Sequence, residues 1–269
     1  MSDYFSQPAI SRSSLMTFIE SPEEYHALYV EGEMDAFDET DTMLRGTVAH
    51  AYFEDQNSLR ERFAIIPDEI KVRNPRHAKW RDFKAACAAA GKIPVRAADV
   101  ERSVRTAEAL KVALKDALES AVKIESEVVC LWTEPDIGVD CKAMLDLKLT
   151  LKTGEILVID IKTSDERPYA WKFRKSAKSF GYWLQDVHYS RGCEVLWPDQ
   201  PLRDFVFAAI QTQGRYPCRL FRFDPITRGE AHEKRMKLLE EIQRRTVAND
   251  WLDENHDKIT DISLDWSNA

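Results

Sequence analysis

The stretch from Val139 to Thr163, VDCKAMLDLKLTLKTGEILVIDIKT, constrains the fold more than any other part of the chain. From Val139 to Leu151 every odd position is apolar and the even ones are mostly charged or polar, a period of two that a strand accommodates and a helix does not. Lys152-Thr153-Gly154-Glu155 supplies a turn, since Gly154 takes a positive φ without steric cost. Ile156-Leu157-Val158-Ile159 then runs back as an unbroken aliphatic strand of the kind buried on both faces of a sheet.

Asp160 and Lys162 follow that aliphatic run and, being two apart on a strand, share a face. Asp146 lies on the polar face of the preceding strand, so two acids and a lysine can converge. Carboxylate oxygens suit a hard cation such as Mg²⁺, which keeps several waters and takes one or two protein carboxylates beside a substrate phosphate. A lysine there can orient the attacking water or offset charge in the transition state. A surface hairpin with alternating charge would show the same spacing. Placing ionisable groups straight after four large aliphatics favours the chemical reading, because an unpaired charge there is costly.

At 269 residues the chain suits one large α/β domain, expected over residues 1–249, with an acidic tail over 250–269. A net charge of −8 argues against non-specific coating of DNA but leaves room for a locally basic channel. Five cysteines without C-x-x-C spacing indicate neither a disulfide framework nor a metal cluster and suit a reducing cytoplasm. With no secretory or membrane-spanning run, a cytoplasmic protein that does not engage a membrane is expected.

Ser11-Arg12-Ser13-Ser14 precedes an apolar pattern and reads as a helix cap, or as an anion site at a helix N-terminus. Ser21-Pro22-Glu23-Glu24 opens a second helix. Glu31 to Asp41 holds six acids and no base, which fits a solvated loop. In the helix Arg45 to Glu54, Gly46, His50 and Glu54 share a face; Gly46 allows a close approach, and His50 reads as a core histidine or a ligand. Lys71 to Lys92 is basic with Trp80 and Phe83 interleaved, either a phosphate-facing surface or a solvated helix. Val100 to Ala121 reads as one long scaffold helix and Glu127 to Trp132 as a strand. Arg167 to Lys178 carries five bases and no acid among Tyr169, Trp171 and Phe173, a local attraction for DNA in an acidic protein. Phe180 to Ser190 is a helix presenting Gln185 and Tyr189 on one face, and two strands and a charged helix from Pro225 to Arg245 follow.

The order Gly46-x-x-x-His50, Glu127, Asp146, Asp160-x-Lys162, Gln185-x-x-x-Tyr189 resembles the PD-(D/E)xK nuclease superfamily. More narrowly it is similar to the RecE-type exonucleases of phages and prophages (exonuclease VIII), relatives of lambda exonuclease and the RecB nuclease domain. The opening from Ile10 to Leu15, Ser21-Pro22 with Tyr25, and the block Ala78 to Lys92 add to the likeness, which spans about residues 10 to 225. Met144-Leu145 departs from the Arg-Pro that often precedes the motif aspartate in that family.

The resemblance implies an α/β restriction-endonuclease-like core, a mixed central sheet flanked by helices. It implies that His50, Asp146, Asp160 and the carbonyl of Ile161 hold the metal, Mg²⁺ with Mn²⁺ able to substitute. Lys162 would be the catalytic lysine, with Gln185 and Tyr189 supporting the site or the DNA end. Arg12, Ser13, Lys172, Arg174 and Lys175 are the expected DNA contacts. The implied activity is 5′→3′ resection of linear double-stranded DNA, leaving 3′ tails for strand annealing, by a ring-shaped homo-oligomer, a tetramer, with a single-strand annealing protein as possible partner. A single-strand nuclease like the RecB or CRISPR-associated enzymes, and a DNA-binding scaffold without catalysis, are the competing readings.

Overall fold

The computed structural model describes residues 4, 6–33, 41–54, 58–70, 73–74 and 76–253, the side chains of 41–43, 45, 50, 54 and 58 excepted. Much of the acidic loop, Lys71 of the basic block, and the tail beyond Asp253 lie outside the described residues.

The predicted hairpin forms and is the middle of the molecule. Strands β3 (Ala121–Thr133), β4 (Asp140–Leu151), β5 (Ile156–Ser164), β6 (Leu202–Gln211) and β7 (Cys218–Phe221) make one sheet in that order. Only β5 and β6 run parallel; the other neighbours are antiparallel. A parallel pair needs a crossover, and here it is made by two helices, α8 (Ala170–Ser179) and α9 (Tyr182–Leu196). The fold is thus the expected mixed sheet flanked by helices.

On one face, α9 and the last helix, α10 (Pro225–Ala248), cover a core of Leu145, Val158, Leu184, Phe205, Phe207 and Leu239. The first helix, α1 (Arg12–Glu20), joins this side, with Leu15 and Phe18 buried; the short α2 (Pro22–Tyr25) adds Tyr25 and ends in a π-helical turn. Capping of these two helices is as read: Ser11 and Ser14 form a reciprocal capping box, and the Ser21 hydroxyl accepts from Glu24 N–H. Trp251 stacks on His26 and Tyr25, and Asp253 accepts from the Ser21 hydroxyl, so the first residues after α10 pack back on α2.

On the other face, α6 (Ala97–Ala113) lies against Leu147, Leu149, Ile159, Ile161 and Ile210. It also packs on α3 (Asp41–Glu54). A small outlying core gathers Val48, Ala51, Phe63 and Val95 around a parallel pair, β1 (Phe63–Ile65) and β2 (Ile93–Val95), which flank α5 (Ala78–Ala89). The short α4 (Ser58–Arg62) leads into β1.

Three expectations need correction. The scaffold helix is broken: α6 ends where Leu114 turns its side chain fully into the core, α7 (Lys115–Ser120) is a separate turn and a half, and Ala121 already belongs to β3. β3 is twice the expected length: it begins at Ala121, and in its first half the alternating Val122 and Ile124 stay exposed rather than joining a core. The polar face of β4 is not a solvent face either. Lys142 and Lys148 are buried, the first donating to Tyr4 and Gln7 carbonyls at 3.1 and 2.7 Å, the second to Glu125 at 3.0 Å under the Trp197 ring. Their ammonium groups stay hydrogen-bonded, which makes burial tolerable.

Candidate active site

The site exists because the sheet opens at Asp146. β4 and β5 pair only from Leu147 and Ile159 to Thr150 and Ile156, and beyond that they part. On the other side of β4, Glu127 and Asp146 are the one opposed pair missing from the β3–β4 ladder between Lys123 and Thr133. Glu127 has φ +48°, a left-handed conformation costing a non-glycine residue about 1–2 kcal/mol. Here β4 also changes cores, Leu145 packing with α9 and Leu147 with α6.

Released from the ladder, Asp146 turns to β5, where its Oδ2 accepts the Ile161 N–H at 2.7 Å. A side chain thus replaces the strand bond that the departing β4 no longer makes. Because the N–H and C=O of one strand residue point to the same side, the Ile161 carbonyl also faces the opening.

Asp160 and Lys162 project from β5 toward α9. Lys162 Nζ lies 2.6 Å from Asp160 Oδ1 and donates to Gln185 Oε1 at 2.9 Å. Gln185 Nε2 in turn donates to Asp160 Oδ2. The three side chains close a ring in which the buried amide fixes both charged partners. Lys162 Nζ also sits 4.6 Å over the Tyr182 ring. Tyr189, one turn beyond Gln185, has its phenol pKa raised, first by burial and then by neighbours that include Asp160 and Asp146, while Arg12 opposes. The phenol thus stays neutral, its ring packed edge-on against Phe205.

Gly46 has the role its position suggests. A Cβ there would lie 3.1 Å from Thr163 Oγ1, so α3 crosses β5 at close range one residue after Lys162. His50 follows one turn later in α3, and its side chain lies outside the described residues. Glu127 pairs with Arg62 at 3.6 Å.

The DNA-contact candidates divide. Lys172, Arg174 and Lys175 sit together on α8, Arg174 and Lys175 exposed and Lys172 paired with Glu166 at 3.0 Å. Arg12 donates to the Phe180 carbonyl at 3.2 Å, which ties α1 to the junction of α8 and α9, while its buried Nε has no hydrogen-bond partner among the described residues. Ser13 is exposed on α1. In the basic block, Trp80 is buried against Phe83 rather than presented to solvent.

The family of PDDEXK-like domains of unknown function (DUF3799) matches residues 11–251, nearly the whole described fold. The chain belongs to this PDDEXK-like family. The match covers each element that carries the site, and nucleases of the PDDEXK kind typically use divalent metals. Among solved structures, a candidate exonuclease from Eubacterium rectale superimposes with a TM-score of 0.54 at 13% identity, over 98% of this chain and 96% of that one. That likeness concerns the fold. SSO0001 aligns with a TM-score of 0.28 at 19% identity, over 73% of this chain and 86% of that chain. No curated protein matches the chain.

The PDDEXK-like donor set suits a hard cation. Asp146, Asp160 and the Ile161 carbonyl would all offer oxygen, and Mg²⁺ keeps waters while taking one or two carboxylates. Among the described residues, which leave out the His50 side chain, no group of three His, Cys, Asp or Glu gathers around one point. No helix among the described residues is long and apolar enough to cross a membrane.

Sequence reasoning missed two contributors. Tyr182 lies under Lys162, and Thr163 is the residue that Gly46 lets α3 approach. The first had a signal: Tyr182, Gln185 and Tyr189 recur at helical spacing in an otherwise buried helix.

Proposed function

We propose that this PDDEXK-like protein is a Mg²⁺-dependent exodeoxyribonuclease, with Mn²⁺ able to substitute, that resects linear double-stranded DNA 5′→3′ and leaves 3′ tails for annealing. The observation that carries the reading is the ring of Asp160, Lys162 and Gln185 facing Asp146 across an opened sheet. A pure scaffold has no need to hold a lysine and two acids in that arrangement at the cost of a broken ladder.

A divalent cation bound by Asp146 and Asp160 would neutralise phosphate charge and acidify the attacking water. Lys162 is ion-paired with Asp160 and donates to Gln185, and from there it would act as a donor to the water or to the charge that builds on phosphate. Gln185 keeps the ammonium aimed, and Tyr189, one turn further along α9, would support the site or the DNA end. Arg12, whose buried Nε has no hydrogen-bond partner among the described residues, and Ser13 would meet a phosphate at the start of α1. His50 would supply a further ligand from α3.

The assembly we favour is a closed ring of four chains, four times the 31.0 kDa of one. Closure keeps a resecting enzyme on its end, and heterologous contacts between unlike surfaces build rings. Light scattering that finds only monomer at moderate salt, with distributive digestion, would reject it. A single-strand annealing protein would then consume the 3′ tails.

Duplexes labelled at either the 5′ or the 3′ end, incubated with Mg²⁺ or with EDTA, test the reading directly. Mononucleotides released first from the 5′ label, and only with Mg²⁺, are expected. Release from the 3′ label, or digestion confined to single strands, would replace the proposed polarity or substrate.

A further inference from the structure

Only three Phe, Tyr or Trp rings are exposed among the described residues, and all of them fall between Tyr169 and Phe180: Tyr169, Trp171 and Phe180, the last two 63% and 58% exposed. The other described aromatic rings are buried or half-buried. Within this same stretch Phe173 stacks on Phe221 at 4.2 Å and Ala177 is buried, so α8 has one face in the core and the opposite face outward. That outward face interleaves Trp171 with Lys172, Arg174, Lys175 and Lys178.

Trp171, Phe180, Lys172 and Lys175 line one depression of about 360 Å³. A second, smaller hollow holds Lys162, Thr163 and Tyr182. Glu166, Lys172 and Ser176 belong to both, so the surface is continuous from the catalytic lysine to the exposed rings. Arg12 fastens the far end through the Phe180 carbonyl.

We propose that this face is a stacking platform for unpaired nucleotides: bases lie on Trp171 and Phe180 while their phosphates follow Lys172 and Lys175 into the site. The chemistry selects the ligand. An aromatic face accepts a base only when the base is out of a duplex, and a row of ammonium groups beside it matches a backbone of phosphates. Intact duplex uses the lysines alone and leaves the rings in water. The proposal rests on the nuclease reading for the identity of the neighbouring site, and it adds that the strand being cut is peeled from its partner before it reaches Lys162.

The test is fluorescence anisotropy of the full chain in EDTA, so that nothing is cut, with a labelled twelve-nucleotide thymidine strand and with the same strand made abasic at its central positions. Wild type is expected to hold the base-bearing strand more tightly. Trp171→Ala or Phe180→Ala should weaken that strand by about 5- to 150-fold per lost stack and leave the abasic strand unchanged, and Trp171→Phe should restore most of the loss. Replacing Lys172, Arg174 and Lys175 by Gln should weaken both strands alike and flatten the log–log salt slope by about 0.7 per lost phosphate contact. Equal binding of the two strands by wild type, or equal weakening of both by Trp171→Ala, would overturn the platform. So would unchanged binding in Trp171→Ala, which would make the rings a protein-docking patch. A chain that shows base-dependent binding but cuts no labelled duplex with Mg²⁺ would overturn the nuclease reading and leave the platform standing.

Discussion

Two clusters of charge lie on neighbouring faces of α9, and they are built on different terms. One is the ring of Asp160, Lys162 and Gln185. The other is a salt bridge of Arg235 to Glu134 at 2.6 Å, both fully buried, joined by Arg191, which donates to Glu134 at 2.9 Å, and by His188. Burial alone would raise the Glu134 pKa, yet the two guanidinium groups hold it down. His188 Nδ1 accepts from Arg235 Nε at 3.1 Å while Nε2 faces the Lys142 carbonyl at 3.2 Å, which fixes the neutral Nε2–H tautomer. Each donor in that second cluster is answered from within the protein. The first is left partly open, with Lys162 20% exposed and the strands spread beside Asp146. A closed cluster fastens the turn after β3 to α9 and α10; an open one has valence left for something else.

The largest effects should come from the open cluster and appear in turnover. Asp146→Asn and Asp160→Asn, each removing charge at nearly constant volume, are expected to abolish cleavage while thermal unfolding and most DNA binding stay close to wild type. Full nuclease activity in either would sink the site assignment. Lys162→Ala should cut turnover by orders of magnitude with metal affinity little changed, because the lysine acts on the water or the transition state. A titration in which metal binding collapses would contradict that separation of roles.

In the closed cluster the same kind of change should act on stability. Arg235→Met leaves Glu134 buried with Arg191 alone and is expected to cost about 3–5 kcal/mol. Pairing it with Glu134→Gln should recover a large part, since both charges are then gone. Chemical denaturation measures both, and activity assayed at low temperature on the folded fraction should survive. An Arg235→Met protein that is fully stable but inactive would dissolve the contrast between the clusters.

Two buried groups on α9 set opposing pH dependences. Burial and then Arg235 hold His188 down to about 3, against an ordinary value near 6.5. A histidine with a lowered folded pKa gives stability that is present above the unfolded value and is lost as pH falls from about 6.5 toward 3. Asp186, buried against Arg228 at 3.2 Å, is pushed the other way, up to about 6 chiefly by burial. Its contribution favours the folded state below about 4 and is lost as pH rises through about 6. The two slopes oppose between about pH 4 and 6, so wild-type stability should change little there. Asp186→Asn should expose the histidine slope, stability then falling steadily on acidification from about 6.5. A denaturation midpoint in that variant that stays flat from pH 7 to 4 would remove His188 from the account.

The two clusters also differ in how far the chain announces them. The hairpin, Asp146, Asp160 and Lys162 are legible because alternation and a glycine turn fix which residues share a face, and the Gln185–Tyr189 spacing is local to one helix. The opening of the sheet is not, since it depends on where β4 stops pairing with β5 and on Glu127 adopting a positive φ. Nor is the closed cluster: Glu134, His188 and Arg235 are brought together over as many as 101 positions of chain, and periodicity carries no information on that scale. Lys142 and Lys148 mislead for a related reason, because a charged residue on a strand reads as solvent-facing until a distant stretch of chain, here residues near Tyr4 and Gln7 or the Trp197 ring, is laid over it.

The smallest expected effect probes how α3 is held against the open cluster. Ala is the better helix former than Gly by about 1 kcal/mol, so Gly46→Ala gains intrinsic stability in α3. Its Cβ, however, would lie 3.1 Å from Thr163 Oγ1, closer than an ordinary contact, and Thr163 follows Lys162 on β5. The two effects oppose, and the unfolding free energy should move by no more than about 1 kcal/mol in either direction. Turnover should fall further than stability does, because relief comes from moving α3 off the strand that carries Asp160 and Lys162 or from rotating Thr163. Thr163→Ala in the same chain removes the hydroxyl and should restore turnover while keeping the helix gain. If Gly46→Ala cuts DNA at the wild-type rate, the close crossing of α3 and β5 is packing alone, and the open cluster is positioned by α9 without help from α3.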